Sequence, residues 1–345
     1  MRDVRAAILG FGNVGRELAK ALSRRAEYIA KHTGYMVTLN LIATSKGYIE
    51  FGRDWRERVL EYAMRYEAGD RGFLKPLEDL WKIMDALMPN IVFIAIPPSY
   101  GDGEPNISIY RGFIERGINI ITADKTGLAL RYSELISGAK KKGIYIGYRA
   151  TVMAGTPAID VIRGVRGREI RVIRGILNAT SNYILSLVEN GLGYKEAIER
   201  AIKEKLAEPD PRIDVEGIDA AAKLAILANE AGLGASLNEI GRKPLTEISE
   251  DDVRKARREG GAVKYIAYAD IRRRELRVSP EILGPDDPLA HVTKNYNGLT
   301  IDLEEDRITL IGPAGPAWRT ANVMITDFIE YTSIKDVLET LASPN

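Results

Sequence analysis

The densest run of ionisable side chains lies between residues 208 and 223, where EPDPRIDVEGIDAAAK carries Glu208, Asp214, Asp219 and Lys223. Asp219 and Lys223 stand four apart with the acid first, so on a helix the two side chains meet on one face. Three alanines precede the lysine and Leu224-Ala225-Ile226-Leu227 follow it, which marks that helix as largely buried. A lone surface pair would be a salt bridge of little consequence. An ionisable pair on a buried helix is costly unless it is used, and that makes these residues candidates for chemistry.

A second constellation stands at the other end of the chain. Gly10-Phe11-Gly12-Asn13-Val14-Gly15 follows a short apolar strand at 4–9 and opens a helical pattern at 16–26. In that context the first glycine permits a tight turn and the second lets the backbone approach a pyrophosphate. The third allows close helix–sheet packing, and the helix N-terminus offers amides and partial positive charge. The chemistry implied is dinucleotide binding. An NAD site usually places an acid about twenty residues on to hold the ribose diol. Here Thr44-Ser45-Lys46 supplies hydroxyls and a cation instead, with Arg53 near in sequence as a second positive charge. Such a pocket suits a 2′-phosphate, which favours NADP(H) and leaves NAD(H) open.

Composition narrows the rest. With no cysteine among the 345 residues, disulfides, thiolate metal sites and cysteine nucleophiles are excluded, and His32 and His291 are too far apart to suggest a histidine metal centre. Lys plus Arg is 49 against 48 for Asp plus Glu, so the net charge of +1 gives no bulk attraction to nucleic acid or an anionic membrane. No apolar run approaches the eighteen or so residues of a membrane span, and the first residues lead directly into a strand pattern, so cytoplasmic residence is expected. The chain also lacks glutamine, which with its charge-rich composition leans toward a thermophilic source.

The elements that must position these residues can be read in outline. Strands are expected at 4–9, 36–43, 91–96, 118–122 and 143–148, apolar on both faces and separated by helical or irregular segments. The stretch between the second and third of these reads as charged and irregular. Such strands imply a parallel sheet covered on both sides. From about Thr151 the texture changes. A Gly/Pro-broken loop leads to a helix, then a strand at 171–176, a helix start at Thr180-Ser181-Asn182 running over 183–189, and a strong helix at 220–231. Paired strands are expected at 262–278 and 299–311.

Taken in order, GFGNVG, ITADKTGLA, YRATVMAGTP, GILNATSNYIL, AEPDPRIDVEGIDAAAKLAIL and IGPAGPAWRTANV resemble the motifs of homoserine dehydrogenase across nearly the full length. The resemblance implies an α/β fold: a Rossmann-type doubly wound parallel sheet over residues 1–149, with a second α+β substrate and dimerisation domain over 150–311. Residues 312–345 would return to the nucleotide-binding domain. It further implies a homodimer and a monofunctional enzyme, without the aspartokinase or regulatory domain of some members. The expected activity is NAD(P)-dependent interconversion of L-aspartate 4-semialdehyde and L-homoserine. Carried over residue by residue, Lys223 is the expected proton-transfer group, with Asp219 beside it and Lys125 as second cation. Glu208 and Asp214 would take the substrate ammonium, and Thr180 would also bind substrate. Gly10 to Gly15, Thr44, Ser45, Lys46, Arg53, Lys125 and Gly315 would line the dinucleotide. Hydride addition to an aldehyde creates an alkoxide, which a lysine ammonium can stabilise and protonate; in reverse the neutral amine takes that proton.

Three departures from the family pattern stand out. Asp124 replaces the usual Asn before Lys125. Arg149 replaces an acid, and Met153 and Ala154 stand where the family has glycines, in the loop whose backbone carbonyls, here of Val152 and Ala154, bind a monovalent cation in relatives. Arg149 is expected to repel that ion or to set its own charge in its place. Gly312-Pro313-Ala314-Gly315-Pro316 is one glycine poorer than the family segment. These departures keep two alternatives open: a paralogue for another small amino-acid aldehyde, and a non-catalytic NADP-binding protein.

Overall fold

The computed structural model describes residues 2–342, with side chains through residue 336. They form two compact units, one built from the chain up to Gly127, Ser133–Thr151 and the chain from Gly315 onward, the other from Leu128–Tyr132 and Val152–Ala314.

The first unit begins β1 (Arg2–Leu9), α1 (Asn13–Thr33), β2 (Tyr35–Thr44), β3 (Gly47–Glu50), α2 (Trp55–Glu67) and α3 (Leu80–Leu87). It continues β4 (Ile91–Ile94), α4 (Asn106–Glu115), β5 (Asn119–Thr122), α5 (Thr126–Lys142) and β6 (Ile146–Gly147). The sheet runs β3-β2-β1-β4-β5-β6. Val4, Ala6, Ala7 and Ile8 are buried, so β1 is covered on both faces, as an apolar run demands. The chain order reverses between β1 and β4, and at such a switch point the strand ends leave a crevice open to ligand.

Three readings of the sequence are corrected here. The sheet is mixed, because β3 turns back antiparallel on β2 through the tight turn at Thr44 to Gly47. The stretch read as irregular holds β3, α2 and α3; its charged residues mark the exposed faces of amphipathic helices, whose sparse apolar residues Trp55, Val59, Ala63 and Met84 are buried. The third strand also stops at Ile94 rather than 96, since Pro97 removes a donor and restricts the residue before it.

The second unit holds α6 (Ala158–Gly164), β7 (Ile170–Ile176), α7 (Ala179–Glu189), α8 (Tyr194–Lys203), α9 (Arg212–Val215) and α10 (Ile218–Glu230). Then come β8 (Gly241–Arg242), α11 (Glu250–Arg258), β9 (Ala262–Asp270), β10 (Glu275–Leu283), β11 (Tyr296–Leu303) and β12 (Arg307–Pro313). Its sheet runs β12-β11-β7-β9-β10-β8, antiparallel except where β8 joins β10. Helix α10 packs against β9, β7 and β10, which buries its alanine-rich body and fixes its amino end at the sheet. The chain then returns to the first unit as α12 (Ala317–Ala342), which lies on α1.

Arg149 belongs to this return. Its guanidinium donates to Asp327 at 2.6 Å and to Glu330 at 2.6 and 2.9 Å, and its own amide reaches the other Asp327 oxygen at 3.1 Å. Two carboxylates of α12 in the same unit thus hold its charge. Burial pushes the Asp327 carboxyl up to about 6 even with the guanidinium opposing it.

Candidate active site

The glycine turn in the first unit has the form a dinucleotide requires. Gly10 sits at φ +98°, and a Cβ there would lie 2.3 Å from the Ala95 carbonyl oxygen, at the switch point between β1 and β4. A Cβ on Gly15 would lie 2.0 Å from the Gly10 carbonyl oxygen, whereas one on Gly12 would meet nothing within 4 Å. The turn is thus closed behind and open in front. Gly12 caps α1 without a side-chain hydrogen bond, and the first turn holds no acid, so its amides remain free for an anion. Phe11 is buried edge-on to Tyr66, and Val14 packs against the core.

At the end of β2, the Thr44 hydroxyl donates to the Gly47 carbonyl at 3.0 Å and accepts from the Lys46 amide, so it shapes the turn. Ser45, Lys46 and Arg53 are exposed, and among the described residues neither cation has an ion-pair partner. The donor set fits a phosphorylated dinucleotide. Lys125 starts α5 at the end of β5. Beside it Asp124 is buried, its Oδ1 accepting from the Thr126 amide and hydroxyl at 3.1 and 2.8 Å. Burial raises the Asp124 carboxyl above the ordinary aspartate range, and its Oδ2 has no hydrogen bond among the described residues.

In the second unit the acid–lysine pair forms as its spacing demands. Lys223 Nζ lies 2.6 Å from Asp219 Oδ2, with the two side chains 13% and 12% exposed. The same nitrogen donates to the Leu177 carbonyl at 2.7 Å, at the end of β7. Gly217, at φ +76°, turns the chain from α9 into α10; a Cβ there would lie 2.5 Å from the Tyr265 hydroxyl, which donates to the Lys243 carbonyl. The start of α10 is thereby pressed onto β9, and Asp219 and Lys223 with it.

Sequence reasoning missed Asn178. It caps α7 by accepting from the Ser181 amide at 2.8 Å, and its Nδ2 donates to Asp214 Oδ1 at 2.6 Å and to Asp219 Oδ2 at 2.9 Å. A signal was present, since Asn before Ala-Thr-Ser is a preferred helix start, but the expected start lay two residues later. Glu208 is exposed and makes no hydrogen bond among the described residues, and Thr180 donates to the Leu206 carbonyl at 2.8 Å, tying down the segment before it. Asp210 pairs with Arg212, which holds its carboxyl down to about 2.

The Val152 and Ala154 carbonyls accept no hydrogen bond among the described residues, and Met153 and Ala154 adopt left-handed φ of 57° and 48°. Gly312 packs onto Thr156 of this loop so closely that a Cβ would fall 1.8 Å from the threonine hydroxyl; Gly315 is exposed just ahead of α12. A cavity of about 410 Å³ lies elsewhere, lined by Met84, Asn90, Arg116 and Asn119 at the amino ends of β4 and β5. Arg116 is paired with Asp85 and Asn119 with Asn90, and none of the site residues described above lines it.

The sequence profile of the homoserine dehydrogenase family matches residues 157–329. A homoserine dehydrogenase from Sulfurisphaera tokodaii is 34% identical over 311 residues, covering 90% of this chain and 92% of that one. An NAD(+)-dependent homoserine dehydrogenase from Pseudomonas canavaninivorans is 32% identical, over 95% of this chain and 96% of the other. Among solved structures, a hyperthermophilic archaeal homoserine dehydrogenase in complex with NADPH superposes with a TM-score of 0.81 at 27% identity, covering 99% of each chain.

Proposed function

The chain belongs to the homoserine dehydrogenase family, NAD(P)-dependent oxidoreductases acting on a CH–OH group, and from that premise we propose that Lys223 moves the proton at the substrate oxygen. When bound, the nicotinamide dinucleotide supplies the hydride chemistry between homoserine and aspartate 4-semialdehyde. The observation that carries the assignment is how the lysine is held. An ammonium has three hydrogens. One is directed at Asp219 and one at the Leu177 carbonyl, and Lys223 makes no further hydrogen bond or ion pair among the described residues. The third hydrogen is free to meet a substrate oxygen. After that proton leaves, the two remaining hydrogens keep both anchors and the lone pair points where the proton was. The nitrogen thus serves as acid toward an alkoxide and as base toward a hydroxyl without moving.

Glu208 and Asp214 supply carboxylates for the substrate ammonium, with Thr180 beside them. In the first unit, the α1 amides would hold the pyrophosphate, with Lys125 as a further cation. Lys46 and Arg53 would hold a 2′-phosphate, which favours NADP over NAD. The same reading keeps a monovalent cation at the free carbonyls of Val152 and Ala154, where it would organise the loop that Gly312 packs against; a rate indifferent to sodium and potassium would remove it. Arg149 gives no reason to look for a different substrate, since its charge is engaged by α12. A homodimer is supported by exposed apolar side chains on the second sheet, Ile282, Ile311 and Tyr296. Among the described residues no helix is long and apolar enough to cross a membrane.

The test is Lys223→Met. Losing one proton-transfer group is expected to lower kcat by about 10²–10⁴-fold while dinucleotide affinity, read by nicotinamide fluorescence, stays unchanged. Turnover within about tenfold of the parent would mean that another group carries the proton.

A further inference from the structure

Asp214 and Asp219 come from different helices, α9 and α10, yet an oxygen of each lies within 3 Å of a single nitrogen, the side-chain amide of Asn178. That amide has two hydrogens, and each is directed at one carboxylate. Asn178 is itself only 4% exposed, so solvent does not substitute for it. Its other end is fixed by the α7 cap, and the next residue back, Leu177, supplies the carbonyl that anchors Lys223. One dipeptide, Leu177-Asn178, therefore touches the lysine directly and both acids through the amide.

We propose that Asn178 is a positioning residue of this reaction: its amide clamps Asp214 and Asp219 in register, and through Asp219 it sets how firmly Lys223 holds its proton. The inference rests on the role given to Lys223 above. Without the donor, each carboxylate would lose the hydrogen that the one amide directs at it, and the bridge between α9 and α10 would be gone. A carboxylate that loses a charge-assisted hydrogen bond becomes more basic and binds the neighbouring ammonium proton more tightly. Among the described residues, the charged groups facing the amide include Asp214 from α9 and Asp219 and Lys223 from α10; the residue after β7 presents the Leu177 backbone, and the first turn of α7 presents no ionisable side chain. On the far side, the Tyr265 hydroxyl of β9 is bonded to the Lys243 carbonyl.

Asn178→Asp separates clamping from capping. Aspartate caps a helix as well as asparagine does, so α7 keeps its start, but both donors are replaced by a carboxylate between two others. Homoserine oxidation requires the neutral amine, so kcat rises with pH until Lys223 has lost its proton. In Asn178→Asp the midpoint of that rise is expected to move up by about one pH unit or more. Asn178→Ser also keeps the cap and returns one hydroxyl donor, and its midpoint is expected between the two. KM for homoserine should rise as well, because Asp214 is no longer held toward the substrate.

A purely structural asparagine would lower kcat at every pH and leave the midpoint in place; that result in both variants would overturn the proposal. Lys223→Met run in the same series distinguishes the two levels of argument. If its turnover stays within about tenfold of the parent, the role of Lys223 fails and this inference with it. If Lys223→Met is inactive and the Asn178 midpoints do not move, only the inference fails.

Discussion

Replacing Arg149 by methionine keeps an apolar stem and removes the guanidinium that holds Asp327 and Glu330. Glu330 is 35% exposed and can turn to water, so its loss is small. Asp327 is fully buried and cannot. Burial already raises its carboxyl from the ordinary 3.8 to about 6 with the guanidinium present, so in the folded protein it binds a proton more readily than in the unfolded chain. The stability it contributes is therefore fully present below about pH 4 and is lost as pH rises through about 6. Without Arg149 the window of loss extends upward. At pH 7.5 the parent holds Asp327 ionised and paired, whereas the variant must protonate it or leave it buried and unpaired. Between pH 6 and 7.5 that amounts to about 2 kcal/mol at 1.36 kcal/mol per unit, and lost hydrogen bonding brings the total to about 3. At pH 5 the carboxyl is mostly neutral in both proteins, and the difference should shrink to about 1 kcal/mol. Urea unfolding followed by tryptophan fluorescence reads this directly, because Trp55, Trp81 and Trp318 all lie in the first unit. Equal destabilisation at the two pH values, or less than about 0.5 kcal/mol at pH 7.5, would refute the reasoning.

Lys46→Glu should weaken NADP far more than NAD, since it replaces a cation by a repelling charge; equal loss for both cofactors in a binding titration would take Lys46 away from the phosphate. Gly217→Ala combines a left-handed φ with a Cβ 2.5 Å from the Tyr265 hydroxyl, so it should lower both thermal stability and kcat. Adding Tyr265→Phe should restore part of the loss, and no recovery would mean that backbone strain alone is responsible. Light scattering at micromolar protein should give a dimer mass; a monomer would discard the pairing of the second sheet.

What the sequence determines by itself is what short range can carry. The turn from Gly10 to Gly15 needs glycine where backbone meets backbone, and strand, turn and helix are contiguous. The Asp219–Lys223 contact follows from helical periodicity once the alanine-rich run is read as a helix. The hairpin of β2 and β3 was hidden because four residues of strand after a polar turn give no periodic signal. Only the tertiary structure decides what Arg149 and Asn178 do. Arg149 meets acids 178 and 181 positions away, and Asn178 meets carboxylates 36 and 41 positions away on two other helices. No local pattern encodes such partners. They meet because α12 returns to the first unit and because β7 ends against the start of α10, and burial then makes each buried polar group take the partner that the fold brings to it.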